Sequence, residues 1–231
     1  DAMRRLIADA DILIQNFRPG AMDRMGLGWE AMHELNPQLI YTSISGYGSD
    51  GPSSGRRAYD NVIQAASGLA SVQAHPATGT PELFRTLVCD KATAYTATQA
   101  ITAALFARAT GTAIGQHIEL AMLDTAIAFM WPDSAMDAVL LDDDATRAPT
   151  IASVYNTVAL ADGYAATSVV TESEFRGQCN TFGLPDLADD PRFADANLRR
   201  TNRRELNAEL KEAAAGTTVA QFAERSAQFD L

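Results

Sequence analysis

Asp90 follows the apolar run Leu87-Val88-Cys89, and apart from Lys91 no charge comes after it until Arg108. A carboxylate at the mouth of a long apolar helix has two uses. As an N-cap, its oxygens accept bonds from the unpaired N–H groups of the first turn. Held by those groups and by the positive end of the helix dipole, it also stays ionised and fixed in direction, which is how a carboxylate nucleophile is mounted. The local sequence is compatible with both uses.

Two further stretches carry groups suited to anion binding. In NFRPGAMDRMGL (16–27), Asn16 and Phe17 come just after an apolar segment, DILIQ, that reads as a strand. The C-terminal ends of such strands are where open α/β sheets bind ligands. Arg18 and Arg24 place fixed positive charge there, and arginine suits phosphate forks and stacking on a base. The alternative is a structural loop with a packed Phe17 and solvated arginines. In GRRAYDNV (55–62), Arg56 and Arg57 precede Tyr59 and Asp60 at a helix start, which also reads as a plain cap with solvated arginines. No GxGxxG or GxxxxGK[ST] segment occurs, so the usual dinucleotide and P-loop modes are absent. His33, His75 and His117 have no metal-ligand spacing, Asp124 reads as another helix cap, and Asp142–Asp144 as a solvated run.

The elements that would position these residues follow from periodicity. Helices are expected at 2–9, 29–35, 59–71, 91–109 and 123–141, the last interrupted near Trp131-Pro132. Strands are expected at 11–15, 39–45 and 116–121. The helix over 91–109 is poor in charge on every face and is expected to be buried. Alternating helix and strand predicts a parallel α/β sheet. The polar stretch DDDATRAPT marks a linker, which gives a large domain at 1–145 and a small α+β domain at 146–231. In the latter, strands are expected at 153–160 and 164–170 and helices at 172–182, 202–215 and 219–227. A chain that starts with the helix feeding a strand is expected to be a fragment lacking an earlier strand.

The 231 residues, 47% of them hydrophobic, suffice for one large domain with a smaller companion. With 29 acidic and 18 basic residues the net charge is −11, which repels nucleic acid and anionic membrane. An anionic ligand therefore needs a local basic pocket. Two cysteines, Cys89 and Cys179, form no framework, which points to a reducing compartment, the cytoplasm.

Taken in order, ADILIQNFRPGAMDRMGL, NPQLIYTSISGYGSDGP, AYDNVIQAASGL, the lone Asp90 and GTAIGQHIELAMLDTA resemble the class III (CaiB/BaiF-type) CoA-transferase family. LADGYAATSV, LPDLADDPRF and NRREL in the smaller domain are similar to it as well. The resemblance implies a Rossmann-like large domain with a smaller α+β domain and an interlocked homodimer. It implies acyl-CoA and a small carboxylic acid as substrates, with coenzyme A as a substrate and no tightly bound cofactor or metal. It implies that Asp90 attacks an acyl-CoA thioester to form a mixed anhydride. Asn16, Phe17, Arg18, Arg24 and Met25 would hold the nucleotide part of CoA, and Arg57, Ala58, Tyr59 and Asp60 would line the thioester and acid site. The family's glycine-rich loop is replaced here by DDATRAPTIASVYN, which points away from formate or oxalate. Two alternatives remain: an α-methylacyl-CoA racemase, disfavoured because Tyr59 stands where a histidine base is needed, and a non-catalytic CoA-binding homologue.

Overall fold

The computed structural model describes residues 1–75, 78–134, 139–145, 155 and 157–231. The chain divides into two compact units, Asp1–Ala152 and Ser153–Leu231. The first is built on a parallel sheet of three strands, β1 (Ile12–Gln15), β2 (Ile40–Ser45) and β3 (Gln116–Ala121), in the order β1-β2-β3. The strand β2 is central, and its alternation divides the core. Tyr41, with Leu39 just before the strand, packs against Ile7 of α1 (Ala2–Ala8), Met22 of α2 (Ala21–Arg24) and Met32 of α3 (Trp29–Leu35). Ile40 points the other way, onto Ile101 and Ala104 of α6 (Val88–Ala109). Helices thus cover both faces, as parallel sheets require. The segment DILIQ, although apolar, is a half-buried edge strand in which Ile14 is 56% exposed, since β1 has a single described neighbour.

The crossover from β2 to β3 passes through α4 (Asp60–Ala66), α5 (Leu69–Val72) and α6. The continuous helix expected over 59–71 is broken because Gly68 takes a left-handed φ of 88°, which only glycine adopts cheaply. Helix α6 starts at Val88, earlier than its charge pattern indicates, and it is not buried all round. Its buried stripe is Cys89, Thr93, Ala97, Ile101 and Ala104, whereas Tyr95 and Phe106 are 72% and 70% exposed. Its outer face lacks charge because it is Thr- and Ala-rich, so low charge did not mean burial. At its far end Arg108 bonds Asp11 Oδ1 at 2.6 Å and the Gln38 carbonyl at 2.7 Å, which anchors the helix to the sheet. Helix α7 (Met122–Ser134) follows β3 directly. Of the longer helix expected there, 135–138 lie outside the described residues and 139–141 are not helical.

The second unit has an antiparallel hairpin, β4 (Thr157–Ala159) and β5 (Tyr164–Ala166), shorter than the strands expected. The helices α8 (Glu172–Thr181), α9 (Ala196–Thr201), α10 (Arg203–Ala215) and α11 (Val219–Phe229) enclose Phe175, Cys179, Phe193, Leu206 and Leu210. Capping boxes start α8 (Thr171, Glu174) and α11 (Thr218, Gln221). No helix among the described residues is long and apolar enough to cross a membrane.

Gly46, at the end of β2, holds the site-bearing segments together. A Cβ there would lie 2.1 Å from the Ala58 Cβ, and its carbonyl accepts the Leu123 N–H at 3.1 Å. Gly46→Ala should therefore cost about 1–3 kcal/mol in denaturant unfolding, as overpacking does. Adding Ala58→Gly should restore much of the loss, since the two residues share one contact.

Candidate active site

All three strands run in one direction, so their C-terminal ends share one edge of the sheet. The segment after β1 (Asn16–Pro19), the end of β2 (Ile44–Gly46) and Met122 after β3 meet the N-terminal turn of α6 there. Together with 56–61 and 84–87 they enclose a cavity of about 1020 Å³. Small-molecule sites typically hold about 300–1,000 Å³. Asn16, Phe17, Arg18, Arg57, Ala58, Tyr59, Asp60 and Asp90 all line it. Arg24 and Met25 do not. The turn of α2 puts Met22 into the core and leaves these two exposed, Met25 by 53%, outside both this cavity and its neighbour.

The neighbouring cavity, about 560 Å³, shares Phe17, Arg18 and Ser45, and Asp124 lines it rather than the larger one. Trp29 is stacked between His33 and His117, and His117 Nε2 pairs with Ser43 Oγ at 2.9 Å. These histidines are packing residues. No group of metal-ligating side chains occurs among the described residues.

The larger cavity is locally basic. Arg18, Arg56, Arg57 and Arg85 line it, and none of the four has an ion-pair partner among the described residues. Outside it, Arg108, Arg176, Arg192 and Arg199 are all paired. Two carboxylates, Asp60 and Asp90, face the four arginines. Sequence reasoning missed Arg85, although its place five residues before Asp90 was a usable signal.

Asp90 is not the helix cap. It is the third residue of α6, whose N-cap position is Leu87, with no side chain to offer. The cap is supplied from α4: Asp60 Oδ2 accepts the Asp90 N–H at 2.9 Å. Asp60 is buried, and Gln64 Nε2 donates to its Oδ1 at 2.5 Å. Gln64 also bonds both the N–H and the carbonyl of Phe84, at 2.9 and 3.2 Å, and the Thr86 carbonyl at 3.2 Å. It thereby braces the segment entering α6. This network too was missed, although Asp60 and Gln64 are four apart on one helix, the spacing at which side chains meet.

The Asp90 carboxylate accepts no hydrogen bond among the described residues, contrary to the expectation that helix N–H groups hold it. Burial raises its pKa, and the charge of Asp60 raises it further. The same causes, burial first, push the Cys89 thiol up to about 11. Cys89 therefore stays a neutral thiol packed with Ile63, Leu69 and Ala126, not a rival nucleophile. Tyr59, 63% exposed, stands at the opening.

The sequence model of CoA-transferase family III matches residues 1–231. The chain is similar to a succinate–glutarate CoA-transferase of Agrobacterium fabrum, 35% identical over 88% of this chain and 51% of that protein. An acetyl-CoA:oxalate CoA-transferase of Acetobacter aceti is 32% identical over 94% of this chain and 56% of the relative. The crystal structure of a CAIB/BAIF family protein from Brucella suis superposes with a TM-score of 0.80 at 32% identity, covering 99% of this chain and 61% of that one. The chain thus spans about half the length of the curated relatives it matches.

The raised pKa of Asp90 has a sign that stability measurements read. Its ordinary value is 3.8. From there up through the higher folded value, the folded state binds the proton more tightly than the unfolded state does. Stability is therefore lost as pH rises through that window. Asparagine suffers no such loss. Asp90→Asn should melt no lower than the parent near neutral pH, with any advantage fading as pH falls toward the ordinary carboxylate value. Melting curves at a series of pH values check this, and a clear drop in Tm at neutral pH would contradict it.

Proposed function

The chain belongs to CoA-transferase family III, and on that premise we propose that Asp90 is the acyl acceptor of a CoA-transferase whose acids are dicarboxylates. The observation that carries this is an unbonded carboxylate facing a cavity with four arginines that lack ion-pair partners. Fixed positive charge of this kind suits the phosphates of CoA and the carboxylates of an acid. Succinate and glutarate, named for one relative, are dicarboxylic; oxalate, named for another, is so too, although the glycine-free stretch 143–156 points away from it as the acid here.

The chemistry balances without a cofactor. An Asp90 oxygen attacks the thioester carbonyl carbon. The C–S bond breaks, and the thiolate leaves with the electron pair, so a carboxylate is consumed and a thiolate is formed. The product is a mixed anhydride. Attack of the thiolate on the Asp90 carbonyl releases the donor acid as its carboxylate and leaves Asp90 as a thioester. The acceptor carboxylate then repeats the two steps in reverse, and Asp90 is regenerated. A carboxylate of raised proton affinity suits the first attack, because nucleophilicity rises with basicity. On this reading Arg18 and Arg57 bind the phosphates of CoA and the exposed Phe17 stacks on its base, while Arg24 and Met25, which lie outside the cavity, could meet only a part of CoA that extends beyond it. The full-length protein is on this reading a homodimer, and the exposed Tyr95 and Phe106 of α6 are apolar surface that a partner would cover.

Succinyl-CoA without an acceptor should acylate the full-length protein once per active site, and hydroxylamine should cleave the adduct. Asp90→Asn should abolish adduct and turnover, and Asp124→Asn should leave both. Mass spectrometry of the digested adduct decides the matter, and a label on any other peptide would remove Asp90 from the chemistry. Arg57→Ala should weaken CoA binding by about 1.5–3 kcal/mol in calorimetry, as loss of a hydrogen bond to a charged group does.

A further inference from the structure

Asp60 lines the cavity, but both its carboxylate oxygens are engaged by the protein. Oδ2 takes the Asp90 N–H at 2.9 Å, and Oδ1 takes Gln64 Nε2. Gln64 is buried to 1% exposure and spends the rest of its amide on the backbone of Phe84 and Thr86. One turn of α4 thus fixes both the strap before α6 and the third residue of α6. A side chain so committed is poorly free to bind substrate.

Capping alone does not require a charge here. Asparagine caps about as well as aspartate, although its single carbonyl oxygen could serve only one of the two donors. Aspartate supplies both the second acceptor, which Gln64 Nε2 uses, and a negative charge beside a second carboxylate. We propose that Asp60, braced by Gln64, is a positioning residue for Asp90: it holds the first turn of α6 through the Asp90 N–H and sets a second negative charge behind the reacting carboxylate. This rests on Asp90 being the acyl acceptor.

The other charges around Asp90 are accounted for. Arg18, Arg56, Arg57 and Arg85 share the cavity, and none of them pairs with the Asp90 carboxylate. Lys91 turns its ammonium to Thr86 Oγ1 at 2.8 Å. Cys89 faces the core as a neutral thiol, and α7 contributes Met122, which is uncharged. Among the described residues, Asp60 supplies the negative charge that opposes ionisation of Asp90, in agreement with the direction of its shift.

The test uses the full-length protein, succinyl-CoA as donor and the hydroxylamine-sensitive adduct as readout. Asp60→Ala and Gln64→Leu should slow adduct formation about 10- to 100-fold, as loss of attack geometry does, with CoA affinity unchanged. Asp60→Asn keeps an acceptor for the Asp90 N–H and removes the charge, with loss of the bond from Gln64 Nε2. It should retain the adduct but move the acid limb of the acylation rate profile to lower pH. The role is overturned if Asp60→Ala acylates at the parent rate, if rate and CoA affinity fall together, or if the acid limb stays in place in Asp60→Asn. Should Asp60→Ala fail to fold, Asp60→Asn decides the matter through the pH profile. If the parent itself carries no label on Asp90, the acyl-acceptor reading fails. If the parent is labelled and the variants behave like it, only the role of Asp60 falls.

Discussion

The Asp60 carboxylate between the Asp90 N–H and the Gln64 amide is the contact on which the site's geometry depends. It joins two helices that the sequence separates by thirty positions. Without it, the first turn of α6 would have an N-cap residue, Leu87, that offers no acceptor. Helix starts usually find their acceptor in the preceding residue. Here it comes from another helix, so α6 cannot begin correctly until α4 is docked. The nearby core of Ile63, Leu69, Cys89 and Ala126 provides that docking. The close approach of Gly46 to Ala58 sets where α4 begins.

Two opposed electrostatic demands meet at this point. The chain as a whole carries −11, yet its large cavity presents four arginines to two carboxylates. The basic pocket that an anionic ligand needs is thus built against the trend of the molecule. The four arginines have no ion-pair partner among the described residues, and unpaired guanidinium groups at a cavity wall are available to a ligand at little desolvation cost. Asp60 works in the other direction, within the same cavity, by keeping a negative charge next to Asp90.

Much of this was legible in the sequence, for identifiable reasons. The segment Ile40–Ser45 announces itself by apolar, β-branched content and Gln116–Ala121 by alternation, and the strand ends locate Asn16 to Arg18 and the cavity with them. Asp90 stands out because its surroundings are apolar. What was not legible depends on three-dimensional approach. The sequence could not show that Asp90 sits inside the helix rather than before it, because Leu87-Val88-Cys89 reads equally well as a run leading into the helix. It could not show that Arg24 and Met25 turn outward, since that follows from the burial of Met22 on the same short turn. The exposure of Tyr95 and Phe106 was hidden because a face rich in threonine and alanine looks the same whether it meets solvent or protein. The glycine-free stretch DDATRAPTIASVYN, expected to change the covering loop, falls largely outside the described residues.

The carboxylate pair also explains why a destabilising arrangement persists at the cavity. The negative charge of Asp60 beside Asp90 costs folding free energy, since it disfavours ionisation of Asp90. A purely structural site would relieve that cost by using asparagine at position 90, where the backbone N–H would keep the cap intact. Both charges have a use if Asp90 is the proposed acyl acceptor, which must be ionised and basic at once. Its carboxylate would then have to be free of hydrogen bonds so that an oxygen can attack, and not be neutralised by the arginines of the cavity. A bonded, paired aspartate would be more stable and less reactive. The observed one is held by its backbone and left free at its carboxylate, the division of labour expected when rigidity is needed for position and exposure for chemistry.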